Sequence, residues 1–169
     1  MVDVGGYVGD TAVLFLLKGA RRVYCCEPFP ASADLIRINS RLNHIQDSLV
    51  LFNVAVGGNP GKVKIDPLFL NRNDSTVVES PNGIQVEVVT LEGLMAKIAS
   101  RDAVLKMNCE GCEYDVFRCI TDETLRRFAY IQLHLHGPAQ PLVSRLRAAG
   151  FLVKWDSYLY AKRIDSRGA

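Results

Sequence analysis

The chain has 169 residues, the length of one domain with a single core, and it is 49% hydrophobic and 22% charged, as ordinary globular proteins are. Its formal net charge of +2 argues against nucleic acid as a partner. No apolar run approaches the roughly 18 residues that a membrane-spanning helix needs, and no secretory signal precedes the first strand. We therefore expect a single domain over residues 1–169, located in the cytoplasm.

The cysteines bear on the redox state. Five of them stand at positions 25, 26, 109, 112 and 119. Their odd number and irregular spacing do not suggest a disulfide framework, so we predict reduced and mostly buried thiols. Cys109 and Cys112 have the spacing of a metal or redox pair, but a structural zinc needs two further ligands at similar spacing, which the sequence does not offer.

Strand and helix patterns alternate along the chain. They predict strands at 1–4, 22–26, 49–54, 104–109 and 130–135, and helices at 10–18, 32–43, 91–99, 113–120 and 140–149. Turn residues and short β patterns over 57–89 predict a hairpin, or an insertion on the substrate side. The closing "FLVKWDSYLYAKR" predicts a hairpin that adds an antiparallel strand at one edge. The fold class is α/β, with a mainly parallel sheet covered on both faces.

A glycine-rich turn follows the first strand. The segment "VDVGGYVGDTAV" places Gly5, Gly6 and Gly9 between that strand and the first helix. Ligands of such sheets bind at the carboxyl ends of the strands, where a helix N-terminus offers free amides. Glu27 ends the second strand, 22 residues after Gly5, and a carboxylate there suits two ribose hydroxyls. Asp3 could anchor the loop or a cationic group of the ligand.

The glycine spacing bears on the kind of cofactor. A dinucleotide fingerprint is G-x-G-x-x-G, whereas this chain has G-G-x-x-G preceded by Asp3. An acidic residue there would repel a pyrophosphate but suits a cofactor with a ribose and a cationic amino-acid tail. Two alternatives stay open, an NAD(P)-dependent oxidoreductase and a glycine turn beside a solvated Glu27 with no ligand.

Four segments, "VDVGGYVGDTA", "CCEPFP", "VEVVTLEGL" and "LKMNCEGCEYDVF", resemble successive signatures of the FkbM family of S-adenosylmethionine-dependent methyltransferases. The resemblance implies a Rossmann-like class I methyltransferase fold with a mainly parallel seven-stranded sheet. It implies methylation of a hydroxyl oxygen on a sugar, a lipid or another small metabolite, with S-adenosylmethionine as the cofactor. The cofactor-binding residues predicted here are Asp3, Gly5, Gly6, Gly9, Asp10, Thr11, Glu27, Pro28, Phe29, Asn53, Val54, Ala55 and Asn108.

The chain departs from the family's pattern around its candidate catalytic residues. Asn108 stands where relatives usually have aspartate, and His134 stands where they have glutamate, two residues before His136. Alternate residues of a strand share a face, so we expect both imidazoles in one cleft. His136 is the first candidate for the proton acceptor, followed by His134 or Glu110. The two histidines and Glu110 could also hold a metal, but the sequence alone assigns none.

A further departure concerns the start of the sequence. Relatives usually have a segment before the first strand that helps to cover the cofactor, and this sequence lacks it. Its absence predicts a more exposed cofactor and lower affinity, in a minimal protein or a truncated reading frame. The departures leave a second function open, a catalytically weakened cofactor-binding or scaffold protein with this fold. The insertion over 57–89, which contains "NRNDST", is predicted to shape the acceptor pocket. The sequence does not indicate the acceptor or the oligomeric state.

Overall fold

The computed structural model of the protein describes residues 1–66 and 83–164. Its strands are β1 (Val2–Val4), β2 (Val23–Cys26), β3 (Leu49–Phe52), β4 (Ala55–Gly57), β5 (Gly61–Ile65), β6 (Ile84–Thr90), β7 (Ala103–Met107), β8 (Phe128–His134), β9 (Phe151–Trp155) and β10 (Tyr158–Arg163). Its helices are α1 (Asp10–Leu17), α2 (Pro30–Leu42), α3 (Leu91–Ala96), α4 (Cys112–Cys119), α5 (Asp122–Leu125) and α6 (Gln140–Ala148). Within these ranges no helix is long and apolar enough to span a membrane.

The main sheet has seven strands in the order β3-β2-β1-β7-β8-β10-β9. The first five of these pair in parallel, whereas β10 runs antiparallel to both β8 and β9. The predicted mainly parallel seven-stranded sheet is therefore confirmed. The predicted closing hairpin is confirmed at one edge of the sheet, where β10 is the antiparallel strand and β9, beyond it, is the outermost strand. A hairpin pattern identifies two partner strands but does not show which of them joins the rest of the sheet.

Helices cover the sheet from both sides. On one face, Ala12 of α1 and Ile36 of α2 pack against Val23 and Cys25 of β2. On the other face, α3, α4 and α6 contribute to the larger core, where Phe117 is 1% exposed. Burial of apolar surface on both faces explains why the central strands have few polar residues. Both layers leave the carboxyl ends of β1, β2, β3 and β7 on one side of the molecule.

Part of the predicted insertion forms a second sheet of three strands, in the order β4-β6-β5. The antiparallel pairing of β5 with β6 confirms the short antiparallel strands predicted there. The strand β4, which pairs in parallel with β6, was not predicted, and neither was the short helix α5. The segment "NRNDST" lies outside the described residues. The remaining elements match their predicted counterparts to within a few residues.

Candidate active site

The glycine turn closes on the ends of two neighbouring strands. Gly5 has a φ of 76°, and a Cβ placed on it would lie 1.9 Å from the carbonyl oxygen of Asn108. Any side chain would therefore separate the turn from the end of β7, which explains the glycine. The amides of Gly5 and Gly6 both donate to the carbonyl oxygen of Cys26, at 3.0 and 3.2 Å. The ends of β1, β2 and β7 are thus held together at one point.

Asp3 lies within β1, behind the turn, and its side chain is fully buried. Its Oδ1 is 2.9 Å from Nζ of Lys106, and the same ammonium donates to the carbonyl oxygen of Gly5 at 2.8 Å. Burial raises the pKa of the Asp3 carboxyl, and the cation of Lys106 opposes that rise. The charge of Asp3 is therefore matched within the protein, and Asp3 supports the turn through Lys106.

Glu27 follows β2, and its carboxylate is oriented by two backbone amides. Tyr7 donates to Oε2 at 2.8 Å, and Phe29 donates to Oε1 at 3.0 Å. Each oxygen of an ionised carboxylate has a second lone pair, so both can still accept from a ligand. Asn53, at the end of β3, donates from Nδ2 to the carbonyl oxygens of Glu27 and Pro28. The carboxylate is thus preorganised for a pair of donors such as vicinal hydroxyls.

A cavity of about 520 Å³ opens beside these strand ends. Of the predicted cofactor residues, nine line this cavity: Gly5, Asp10, Thr11, Glu27, Pro28, Phe29, Val54, Ala55 and Asn108. The other four, Asp3, Gly6, Gly9 and Asn53, lie outside its lining and support the turns around it. Of the candidate catalytic residues, Glu110 and His134 line the cavity, whereas His136 does not. The cavity therefore joins the region of Glu27 to the region of Glu110.

The loop from β7 to α4 is organised by Glu113, whose side chain is fully buried. Its two carboxylate oxygens accept from the amides of Cys109 and Gly111, each at 2.9 Å. Within this loop Glu110 has a φ of 56°, a conformation that few residues other than glycine adopt. The turn therefore presents the Glu110 side chain at the cavity, with Glu113 beneath it.

The prediction of five reduced thiols is wrong for one pair. Cys109 and Cys112 form a disulfide, because the turn between them brings their Cα atoms to 5.5 Å. Cys25 and Cys26 are buried free thiols, as predicted, whereas the free thiol of Cys119 is exposed. Burial raises the pKa of both buried thiols, that of Cys26 to about 12, so these two remain protonated near neutral pH.

The two histidines lie together at the end of β8. Their ring centroids are 4.5 Å apart, as their spacing of two residues predicts. Nδ1 of His134 is 2.9 Å from Oδ1 of Asn108, and the ring stacks on Tyr158 with centroids 4.7 Å apart. Nε2 of His136 is 3.1 Å from Oε2 of Glu110. Asn108 and His134, the two residues that depart from the family's pattern, therefore contact each other through a hydrogen bond.

Three residues of this site were missed in the sequence. Lys106 is the one charged residue of the otherwise apolar strand β7, and a cation at such a position needs a buried anion such as Asp3. Glu113 stands in the first turn of α4, where a carboxylate commonly reaches back to free amides. Tyr158 begins the last strand, and only the register of β10 against β8 sets it opposite His134.

Burial makes the stability of the protein depend on the ionisation of Glu27. Desolvation, partly offset by the amides of Phe29 and Tyr7, raises the pKa of Glu27 from 4.5 to about 7. Between these values the folded protein keeps a proton that the unfolded chain has lost, so the free energy of unfolding falls as pH rises. We expect a slope of up to about 1.4 kcal/mol per pH unit in thermal unfolding between pH 4.5 and 7. Glu27→Gln should reduce this slope, and an equal slope in the two proteins would contradict the assignment.

The strand order and a cavity at the carboxyl ends of the parallel strands define a class I methyltransferase fold. The family model of the methyltransferase FkbM domain matches residues 3–159, so the chain belongs to the FkbM methyltransferase family. No curated protein matches the chain with significance.

Solved structures with the same fold are distant in sequence. An FkbM methyltransferase from Methylobacillus flagellatus is 17% identical with a TM-score of 0.63, and the match covers 95% of this chain. This chain spans 42% of the length of that protein. A putative RNA methyltransferase from Pyrococcus horikoshii is 14% identical, with a TM-score of 0.55, over 98% of this chain and 74% of its own. A precorrin-6y C5,15-methyltransferase from Geobacter metallireducens is 13% identical, with a TM-score of 0.54, over 97% and 79%.

Proposed function

We propose that this protein transfers the methyl group of S-adenosylmethionine to a hydroxyl oxygen of a small metabolite, a sugar or a lipid. The observation that carries the proposal is a single cavity with the Glu27 carboxylate in one wall and Glu110 and His134 in another. The carboxylate of Glu27 suits the ribose of the cofactor, and Glu110 and His134 suit an acceptor hydroxyl that must lose a proton. Residues 1–169 act as one domain in this proposal, and nucleic acid is not the acceptor.

The cavity fits the cofactor chemically. The backbone of the glycine turn admits a ligand close to the start of α1, where Asp10 and Thr11 line the cavity. Val54 and Ala55 supply an apolar wall that suits adenine. When bound, S-adenosylmethionine supplies a methyl group already activated by its sulfonium, so the protein mainly has to align the acceptor and remove its proton.

The acceptor's proton passes to the cluster that Glu110, His134 and His136 form. Glu110 lines the cavity and is the favoured proton acceptor, because a carboxylate in the lining can take a proton directly from a hydroxyl bound there. His136 was the first candidate from the sequence, but it lies outside the lining, 3.1 Å from Glu110. We therefore give His136 a positioning role, in which its ring orients the Glu110 carboxylate. We also propose that the insertion over 57–89, which contains β5 and most of β6, borders the acceptor side.

The test is an acceptor screen followed by one substitution. Purified protein is incubated with S-adenosylmethionine and a panel of sugars, polyols, lipids and phenols, and formation of S-adenosylhomocysteine is measured. Glu110→Gln should then lower kcat by about 100-fold or more, since general base catalysis contributes that much, while cofactor affinity stays unchanged. The control is His44→Asn. His44 is exposed and has a φ of 56°, a backbone conformation that asparagine also tolerates.

Two outcomes would contradict the proposal. Binding of S-adenosylmethionine without turnover on any acceptor favours the scaffold protein, which shares the cavity but not the chemistry. Saturable binding of NADH, followed by its fluorescence, with none of S-adenosylmethionine favours the oxidoreductase. Full activity of Glu110→Gln would leave methyl transfer in place and remove Glu110 as the proton acceptor.

A further inference from the structure

The acceptor end of the cavity carries a side-chain cluster with the composition of a metal site. Glu110, His134 and His136 each offer one ligand atom, and these atoms lie within 4.8 Å of one another. We propose that these three residues bind a divalent first-row transition cation that holds the acceptor oxygen. The binding of the cation stands on its own, whereas its role in methyl transfer rests on the function proposed above.

The oxygen atoms that face Nδ1 of each histidine would let Nε2 of each ring bind a cation. Oδ1 of Asn108 can only accept, so the proton of a neutral His134 lies on Nδ1 and the lone pair lies on Nε2. In His136, Nδ1 is 3.3 Å from Oε1 of Glu113 and Nε2 is 3.1 Å from Oε2 of Glu110, so a cation at Nε2 would replace a proton there while Nδ1 keeps its own. A metal-bound histidine typically directs its other nitrogen at a carboxylate or carbonyl oxygen, as both rings do here. Asn108 and Glu113 would thus orient the ligands from behind.

The charges of the cluster also favour a cation. Two carboxylates, Glu110 and Glu113, meet around His136, and the Glu113 side chain is fully buried. Both ring nitrogens of His136 are buried, and neither makes a hydrogen bond of regular geometry within residues 1–66 and 83–164. The nearby Lys106 is already paired with Asp3. A cation bound at Nε2 of His136 would offset the carboxylate charge and satisfy a buried nitrogen.

The ligands are held by the surrounding structure. Glu110 sits in a turn closed by the disulfide of Cys109 and Cys112, and His134 is stacked on Tyr158. Nε2 of His136 and Oε2 of Glu110 are already 3.1 Å apart, close to the separation of about 3.4 Å of two ligands on a tetrahedral cation. Small rotations of the side chains are enough to complete the set.

The donor set selects the class of cation. Two imidazoles and one carboxylate match the ligands of catalytic zinc and of other first-row transition cations, whereas Mg²⁺ prefers oxygen donors alone. His134 and Glu110 line the cavity, so the remaining coordination position opens toward the acceptor. A hydroxyl bound there is acidified, and its proton passes to the Glu110 oxygen that does not bind the cation. The acceptor oxygen then forms its bond to the methyl carbon as the carbon–sulfur bond breaks.

The test is a titration of the metal-stripped full chain with Zn²⁺ by calorimetry, and with Co²⁺ followed by its visible spectrum. The background carries Cys119→Ser, because Cys119 is an exposed free thiol. We expect one equivalent to bind, and His134→Gln and His136→Gln each to weaken binding by about 100-fold or more. Asn108→Ala, which removes only the acceptor behind His134, should weaken binding by about 10- to 100-fold. His44→Asn should bind as the parent does.

Two further samples make the result decisive. Cys109→Ser/Cys112→Ser removes the other possible zinc ligands of this loop, and it should retain most of the affinity. Loss of binding in that variant, with full binding in His134→Gln, would overturn the proposal, and so would the absence of saturable binding by folded protein. Titration of the same samples with S-adenosylhomocysteine separates the two ideas. If the nucleoside binds and the metal does not, only the metal site is wrong.

Discussion

Replacing Glu27 with glutamine weakens the binding of S-adenosylhomocysteine by about 10-fold or more. The carboxylate can accept two hydrogen bonds from a ribose while it keeps those from Tyr7 and Phe29. Glutamine has one acceptor oxygen, and its NH₂ group would face one of the two backbone amides. Loss of a charged hydrogen bond costs about 1.5 to 3 kcal/mol, which sets the expected change. Calorimetric titration measures it, with the exposed Glu123→Gln as the matched control.

The same titration has a pH dependence that identifies the charged form. The pKa of Glu27 is raised by burial to about 7, and ribose hydroxyls bind the ionised carboxylate. Affinity should therefore fall as the pH is lowered from 8 to 6 in the parent protein, and it should change little in Glu27→Gln. Equal affinity of the two proteins at pH 8 would remove Glu27 from the cofactor site, whatever their activity.

Replacing Lys106 with methionine lowers the free energy of unfolding by about 3 to 5 kcal/mol, the usual cost of breaking a buried ion pair from one side. Asp3 is fully buried and Lys106 is its cation, so the variant leaves a buried carboxylate unpaired. The carbonyl oxygen of Gly5 loses its donor as well. In a chain of this size the loss corresponds to a decrease of about 6 to 20 °C in Tm, measured by thermal unfolding.

Two variants test whether this loss comes from the ion pair. Lys154→Met removes an exposed lysine from the edge strand β9 and should leave Tm almost unchanged. Asp3→Asn/Lys106→Met removes both charges, so it should be more stable than Lys106→Met alone. A double variant as unstable as the single one would mean that Lys106 stabilises the protein through its packing and through Gly5.

The ion pair changes the interpretation of Asp3. From the sequence, an acidic residue before the glycines suggested attraction of a cationic ligand tail. In the structure that carboxylate faces Lys106, a residue about a hundred positions later in the chain, because β1 and β7 are adjacent in the sheet. Sequence reasoning identified Asp3 as a candidate site residue but had no means of finding its partner, since the pairing of distant strands is decided by the fold.

The cysteines show the same limit. Their number and spacing indicated free thiols, and for Cys25 and Cys26 burial in the core agrees with that prediction. Cys109 and Cys112 are joined because the turn at Glu110 and Gly111 has positive φ at both residues. A sequence pattern does not reveal such a turn unless glycine or asparagine occupies every position that needs it.

The sequence by itself determined the α/β class, the places of most strands and helices, the glycine turn and the position of Glu27 at the end of the second strand. These features depend on local periodicity and on residues whose backbone requirements are specific. Only the tertiary structure decided the position of β10 inside the sheet, the pairing of Asp3 with Lys106, and the contacts of His136 with the carboxylates of Glu110 and Glu113. Those features join residues far apart in the chain, and their geometry follows from the packing of strands and loops against one another.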